Sequence, residues 1–258
     1  MKGDIIHKLQ LYYKDEYIRL FQGDCLEVMD KLIEKNIKMD MVLADLPYGT
    51  TQNKWDSIIP LDKLWERYEK IIKDNGCIAL FSQTPFDKVL GASNLKLLKY
   101  EWVWQKNKAT GFLNSKKMPL KSHENILIFY KNLPIYNPQG LIKKSVPTIN
   151  KGDRGKKEEG AGGSNYGVAT KDSIQEYKNY PKDILTFGVV MKPVHPTEKP
   201  VDLCEYMINT YTNEGNLILD NTCGSGTTLL AARNLKRKCI GIELEEKYCE
   251  IAKNRLTA

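Results

Sequence analysis

Two short apolar runs, each emptying into a polar loop, constrain this chain most. Met41-Val42-Leu43-Ala44 leads into Asp45-Leu46-Pro47-Tyr48, and Leu217-Ile218-Leu219 leads into Asp220-Asn221-Thr222-Cys223-Gly224-Ser225-Gly226. Runs that are apolar without alternation read as strands buried on both faces, as in parallel sheets covered by helices. Ligands of open α/β sheets bind at the carboxyl ends of such strands. One loop is glycine-rich and opens a helix. The other offers a carboxylate, a proline-stiffened turn and an aromatic ring. Together they predict a cofactor site beside a site that grips a flat polar substrate.

At 258 residues, 41% hydrophobic and 28% charged, the chain suits one large α/β domain, or a domain with an insertion. Its net charge of +7 is unevenly spread: Lys96 to Lys157 holds 14 Lys and Arg against 3 Asp and Glu. A basic surface of this kind points to a nucleic-acid partner, although a solvated lysine-rich surface has the same composition. The six cysteines, Cys25, Cys77, Cys204, Cys223, Cys239 and Cys249, form no CxxC pair. They read as buried free thiols in a reducing compartment rather than a zinc site. With no signal-peptide pattern and no apolar run of membrane-spanning length, the expectation is a soluble cytoplasmic protein without membrane contact.

Along the chain, Leu9–Tyr13 and Tyr17–Phe21 read as a hairpin ending at Gly23-Asp24-Cys25, followed by a helix through Leu26, Met29 and Ile33. Leu61 to Ile72 shows helical spacing, with Gly76 as its stop, and Cys77–Phe81 reads as the next buried strand. Phe86 to Leu98 reads as helix. Tyr100–Gln105 and Asn125–Tyr130 read as strands joined by a basic loop containing Gly111-Phe112. Residues 132–190 change character, with prolines and a Gly/Lys/Glu-rich stretch, and read as an insertion. The expected organisation is therefore 1–131, a 132–190 insertion, and 191–258 completing the first domain.

Gly224 and Gly226 let backbone approach a ligand, and the helix beginning near Thr227 presents free N–H groups. Glu243 ends the next strand roughly 20 residues past Gly224, where an acid meets ribose hydroxyls in nucleotide-binding βαβ units. A phosphate-binding P-loop needs Lys where Thr227-Thr228 stands, and a dinucleotide fold wants a third glycine at Leu229. An adenosine cofactor lacking a pyrophosphate, S-adenosyl-L-methionine, fits better. Asp220 suits its cationic amino-acid tail.

The exocyclic amine of a nucleobase is a poor nucleophile, because its lone pair is delocalised into the ring. A carboxylate and a carbonyl accepting its two N–H bonds would hold it pyramidal. Asp45 and the Leu46 carbonyl supply these, Pro47 stiffens the turn, and Tyr48 offers a ring to stack on a base held outside the duplex. Trp102 and Trp104 read as core before base-stacking residues. Asn53, Lys54 and Trp55 read equally as a lid or a plain loop, Phe112 as a nucleotide contact or packing, and His123 as structural or a phosphate contact.

These ordered motifs resemble the β-class, permuted, amino-methyltransferases of DNA, in which the catalytic motif precedes the cofactor loop. Asp45-Leu46-Pro47-Tyr48 is similar to the family's Asp-Pro-Pro-Tyr, and Asp at the first position resembles its adenine-N6 members. Asp220 to Gly226 resembles the cofactor loop, with Asn221-Thr222-Cys223 in place of the commoner Pro-Phe-x. His195 to Pro200 resembles the motif before the cofactor helix, which implies that Lys199 lies near the methionine carboxylate. Gly23-Asp24-Cys25 resembles the strand end whose acid meets the adenine amino group. The loop residues Cys223, Ser225 and Thr227 are implied cofactor contacts.

The resemblance implies a Rossmann-like methyltransferase fold, circularly permuted, with a seven-stranded, mostly parallel sheet holding one antiparallel strand. It implies methyl transfer from S-adenosylmethionine to adenine N6 in double-stranded DNA, by direct displacement after base flipping, without a metal. It makes 132–190 the target-recognition segment, and leaves room for a homodimer and a cognate restriction nuclease. Cytosine N4, RNA or a protein glutamine are alternative acceptors. A non-enzymatic DNA-binding module and a nicotinamide dehydrogenase are the readings outside this chemistry.

Overall fold

Each β-rich run found in the sequence becomes a strand, and the amphipathic runs between them become the helices that cover it. The computed structural model describes residues 10–49, 57–152, 171–194 and 198–258. Asn53, Lys54, Trp55 and the His195–Thr197 part of the motif before Lys199 lie outside the described residues.

In chain order the elements are β1 (Gln10–Lys14), β2 (Ile18–Gln22), α1 (Cys25–Glu34), β3 (Met39–Asp45), α2 (Leu61–Ile71), β4 (Ile72–Ser82), α3 (Phe86–Ser93), β5 (Leu98–Thr110) and β6 (Lys121–Phe129). There follow β7 (Ile142–Asn150), β8 (Ser173–Lys178), β9 (Ile184–Phe187), α4 (Val201–Tyr211), β10 (Leu217–Asp220), α5 (Thr227–Asn234), β11 (Lys238–Glu243) and α6 (Glu246–Thr257).

The main sheet has nine strands in the order β1-β2-β11-β10-β3-β4-β6-β5-β9. Its seven central strands, β2 to β5 in that order, contain one antiparallel strand, β6. This is the expected methyltransferase sheet, lengthened at its edges by antiparallel β1 and parallel β9. β11 pairs with β2, so the last strand of the chain lies beside one of the first. Asp15 accepts the amides of Tyr17 and Ile18 at 2.8 and 2.6 Å and thereby sets the β1–β2 turn.

Alternating side chains of the sheet feed two cores. Val42 and Ala44 of β3 join the core under α1, α2 and α3, which includes Met29, Tyr68 and Leu90. Met41 and Leu43 join the core under α4, α5 and α6, which includes Met207, Ala231 and Ala252. β3 and β10 are neighbours, yet the helices that follow them, α2 and α5, cover opposite faces. That is a topological switch point, and it opens a crevice at the carboxyl ends of the strands.

Three local expectations need correction. Gly76 does not end a helix: α2 stops at Ile71, and Gly76 sits inside β4. There residues 72–77 span what Met39–Met41 spans on β3, and a Cβ on Gly76 would stand 3.0 Å from the Asp40 carbonyl and 2.6 Å from Ile72 Cγ1. Second, α3 covers only Phe86–Ser93 of the segment read as helix, because Asn94 leaves helical geometry at φ −151°. Third, Ile184–Phe187 is not part of an insertion but pairs with β5. The residues that form their own compact unit are Pro138–Lys182, built on the antiparallel β7–β8 pair. Within it Asn179 Nδ2 donates to the Gly140 carbonyl at 2.7 Å and Lys144 Nζ to Gln175 at 2.8 Å.

Candidate active site

Parallel pairing brings four polar strand ends to one edge. β2 ends at Gln22-Gly23-Asp24, β11 at Glu243, β10 at Asp220 and β3 at Asp45, on successive neighbours. They open on a cavity of about 520 Å³. Asp24, Cys25, Asp45, Leu46, Pro47, Tyr48, Lys199, Asp220, Cys223, Gly224, Ser225, Thr227 and Glu243 all line it. Gly226 does not. At φ 80° it caps α5, and a Cβ there would stand 2.8 Å from the Ala252 Cβ of α6, so it serves helix packing rather than ligand approach.

At the β3 end, Asp45 is held at both oxygens. Tyr48 Oη donates to Oδ1 at 2.6 Å, and Lys199 Nζ lies 2.5 Å from Oδ2. The Leu46 side chain is buried in the core below, which explains how leucine serves where the family carries proline: it anchors the turn by burial. The Tyr48 ring stacks on Phe86, 5.2 Å between centroids at 25°. Burial pushes the Asp45 carboxyl up, and Lys199 pulls it back only in part.

Lys199 lines the cavity beside the glycine loop, and its buried ammonium bridges two of the chain's own acids, Asp45 and, at 3.4 Å, Glu124. An ammonium excluded from water needs such partners. Burial disfavours its charge, but the two carboxylates outweigh burial and hold the amine above the usual lysine range. Glu124 also pairs with Lys106 at 2.5 Å. Burial would raise the Glu124 carboxyl, yet Lys199 and Lys106 hold it below its ordinary value. The result is an alternating row, Asp45–Lys199–Glu124–Lys106. Sequence reading missed Glu124 and Lys106 because β6 and β5 carry no motif; only sheet pairing delivers them.

At the β10 end, Asp220 is buried, and burial lifts its carboxyl to about 7, with hydrogen bonds from Thr228 and the Thr222 amide acting the other way. No ion pair to it occurs among the described residues. Asn221 Oδ1 accepts from Tyr68 at 2.6 Å. Thr222 Oγ1 donates to the Asp45 carbonyl at 3.0 Å and ties the glycine loop to the β3 turn. Both residues are departures from the family's pattern, and both serve as struts.

Glu243 holds the glycine loop. Its carboxylate accepts the Gly224 amide at 2.9 Å through Oε2 and the Glu245 amide at 2.8 Å through Oε1. Burial raises this carboxyl as well. The Leu244 amide also faces this carboxylate, which leaves it acceptor capacity for one ligand hydroxyl. Asp24 caps α1 through Oδ1, accepting the Leu26 and Glu27 amides, which fixes the β2 end of the cavity. Cys25 follows, its thiol raised to about 11 by burial. Arg255 of α6, another residue without a sequence signal, donates to the Ser225 carbonyl at 3.0 Å and pairs with buried Glu198 at 2.9 Å.

The tryptophans belong to the core. Trp102 Nε1 donates to Tyr211 at 2.6 Å and Trp104 Nε1 to the Phe187 carbonyl at 3.0 Å, although Trp104 also touches the cavity. His123 is exposed on β6. No group of three or more His, Cys, Asp or Glu side chains able to hold a metal occurs among the described residues. No described helix is long and apolar enough to cross a membrane.

The family model described as DNA methylase matches residues 39–254. The type II methyltransferase M2.LlaDCHI of Lactococcus lactis subsp. cremoris is 29% identical over 278 residues, covering 95% of this chain and 91% of that protein. The crystal structure of M1.HpyAVI in complex with SAM superposes with a TM-score of 0.65 at 25% identity, covering 92% of this chain and 99% of that one. The PvuII DNA methyltransferase, described as cytosine-N4-specific, shares the fold at a TM-score of 0.67 and 15% identity, over 96% and 89% of the two chains. A tyrosine-bonded aspartate after one strand, a buried glycine loop after its neighbour and a match through nearly the whole main domain make this chain a member of the DNA methylase family of N6 and N4 methyltransferases.

Proposed function

We propose that this DNA methylase transfers a methyl group from S-adenosylmethionine to the N6 amine of adenine in double-stranded DNA. The observation that carries the reading is the shared cavity: Asp45 and Tyr48 open into the same space as the Asp220–Glu243 glycine-loop unit. The cavity's chemistry fits the cofactor. Asp220 is a buried acid with no ion-pair partner among the described residues, and Glu243 retains acceptor capacity beside the loop. Asp220 would take the cofactor's ammonium and Glu243 a ribose hydroxyl. When bound, the cofactor supplies an electrophilic methyl group on a positively charged sulfur.

The chain's own part is to present the amine. Asp45 accepts one N–H of the target amine on a lone pair left beside the bonds from Tyr48 and Lys199, and the Leu46 carbonyl accepts the other. The nitrogen lone pair is then turned out of the ring plane toward the methyl. Tyr48, backed by Phe86, receives the face of the base. Lys199 favours the charged form of Asp45 against the burial that opposes it, and Asp45 is the nearest acceptor for the proton the methylated nitrogen sheds. Aspartate as the first motif residue favours adenine over cytosine as the target. Residues 138–182, with their lysines, are the proposed reader of the recognition sequence.

Asp45→Ala tests this assignment. Methyl transfer to DNA should fall by at least about 100-fold, the scale of removing one positioned electrostatic group, while cofactor affinity stays within about threefold. Normal turnover by the variant would remove Asp45 from the chemistry.

A further inference from the structure

The hairpin between β5 and β6 ends in a tip that the chemistry above leaves unused. Gly111, at φ 90°, turns the chain into a short 3-10 turn at Phe112–Asn114. Phe112 is 78% exposed, Leu113 98%, Met118 52% and Leu120 41%. Four large apolar side chains held in water on one tip mark a contact surface. The flanks are as biased as the tip. Lys108, Lys116, Lys117 and Lys121 are exposed between Lys106, which is engaged with Glu124, and Ser122, with no acid among them.

An apolar tip with cationic shoulders fits a partner that is anionic outside and apolar in layers within. Duplex DNA is such a partner: phosphates line its surface and the base stack fills its interior. An anionic lipid surface shares part of this chemistry. The stem of the hairpin decides between them, because Lys106, Lys108, Ala109 and Thr110 line the same cavity as Asp45 and Tyr48. A polymer that delivers a base to Asp45 therefore comes beside the stem that carries this tip.

We propose that Phe112 and Leu113 form a wedge that enters the DNA base stack and fills the space left by the target base, while the flanking lysines hold phosphates on either side. The proposal rests on the reading of the chain as a methylase that flips an adenine. A base drawn from the duplex leaves its two neighbours unstacked. An aromatic ring laid against one of them restores stacking worth about 5- to 150-fold in an equilibrium constant. Leu113 beside it excludes water from the gap.

The test begins by mapping the methylated sequence in DNA treated with the wild-type protein. A duplex bearing 2-aminopurine at the target position is then titrated in the presence of S-adenosylhomocysteine. The wild-type protein should raise the fluorescence as the base leaves the stack. The variant carrying Phe112→Ala and Leu113→Ala should bind this duplex at least about 10-fold more weakly and give a smaller rise at saturation. Its affinity for S-adenosylhomocysteine should match the wild type, which also reports that it is folded. A second variant, Lys116→Ala with Lys117→Ala, should bind more weakly with a salt slope shallower by about 2, yet reach the full rise at saturation. Equal affinity and equal rise for the Phe112/Leu113 variant would overturn the wedge and leave the methylase reading standing. Tip-dependent binding to phosphatidylserine vesicles, with DNA binding unchanged, would overturn it in favour of a lipid surface. No methylation of DNA by the wild-type protein would instead remove the reading beneath it.

Discussion

Lys199 shows how a residue's neighbours determine its role. Its motif was legible in the sequence, but its partner Glu124 was not, because that contact crosses the sheet from an unmarked strand. Glu124→Gln would leave Lys199 and Lys106 each short of a buried carboxylate. Breaking such a pair costs about 3–5 kcal/mol, so denaturant unfolding should show a loss of this order with an unchanged slope. Asp220 carries a second prediction. Its folded pKa of about 7 lies above the unfolded value, so in the ligand-free protein the stability tied to its protonated form is complete at low pH and is lost as pH rises through about 7. A cationic cofactor group needs the ionised form, so affinity should move the opposite way. Cofactor binding by calorimetry should strengthen about fivefold between pH 6 and pH 7, one ionisation's worth, and Asp220→Asn should flatten that rise. A wild-type affinity flat over that range would place the cofactor's charge elsewhere.

Elements were legible where pattern and packing agree. β3, β10 and β11 are short apolar runs ending in acids, and each strand stops at the acid the sequence marked. Gly76 misled because a glycine that ends a helix and a glycine that admits a neighbouring carbonyl look alike in sequence. Gly226 misled in the opposite sense, since a loop glycine beside a cofactor motif reads as a ligand contact. Its neighbour is α6, and this makes a sharp element-scale prediction. Gly226→Ala adds a Cβ 2.8 Å from Ala252 at a positive φ, so it should destabilise the protein by about 2 kcal/mol or more, read as a lower thermal midpoint. Ala252→Gly in that background should recover part of the loss by removing the clashing methyl group.

At the scale of the whole molecule, the sequence motifs run in the order catalytic turn, then cofactor loop, and the sheet closes that order by pairing β11 with β2. The seven central strands follow from that permutation. The edge strands β1 and β9 do not: β9 lies in a stretch whose composition looked foreign to the core, and only its pairing with β5 reveals it. What the fold achieves is to set Asp45 and Asp220 at the ends of adjacent strands, with one cavity for both. The central claim, that this cavity methylates an adenine amine, is tested most directly by the product. Unmodified double-stranded DNA incubated with the protein and methyl-labelled S-adenosylmethionine, then digested and analysed by mass spectrometry, should yield N6-methyladenine. N4-methylcytosine would contradict the target, and no methylated nucleoside from a protein that still binds the cofactor would contradict the claim itself.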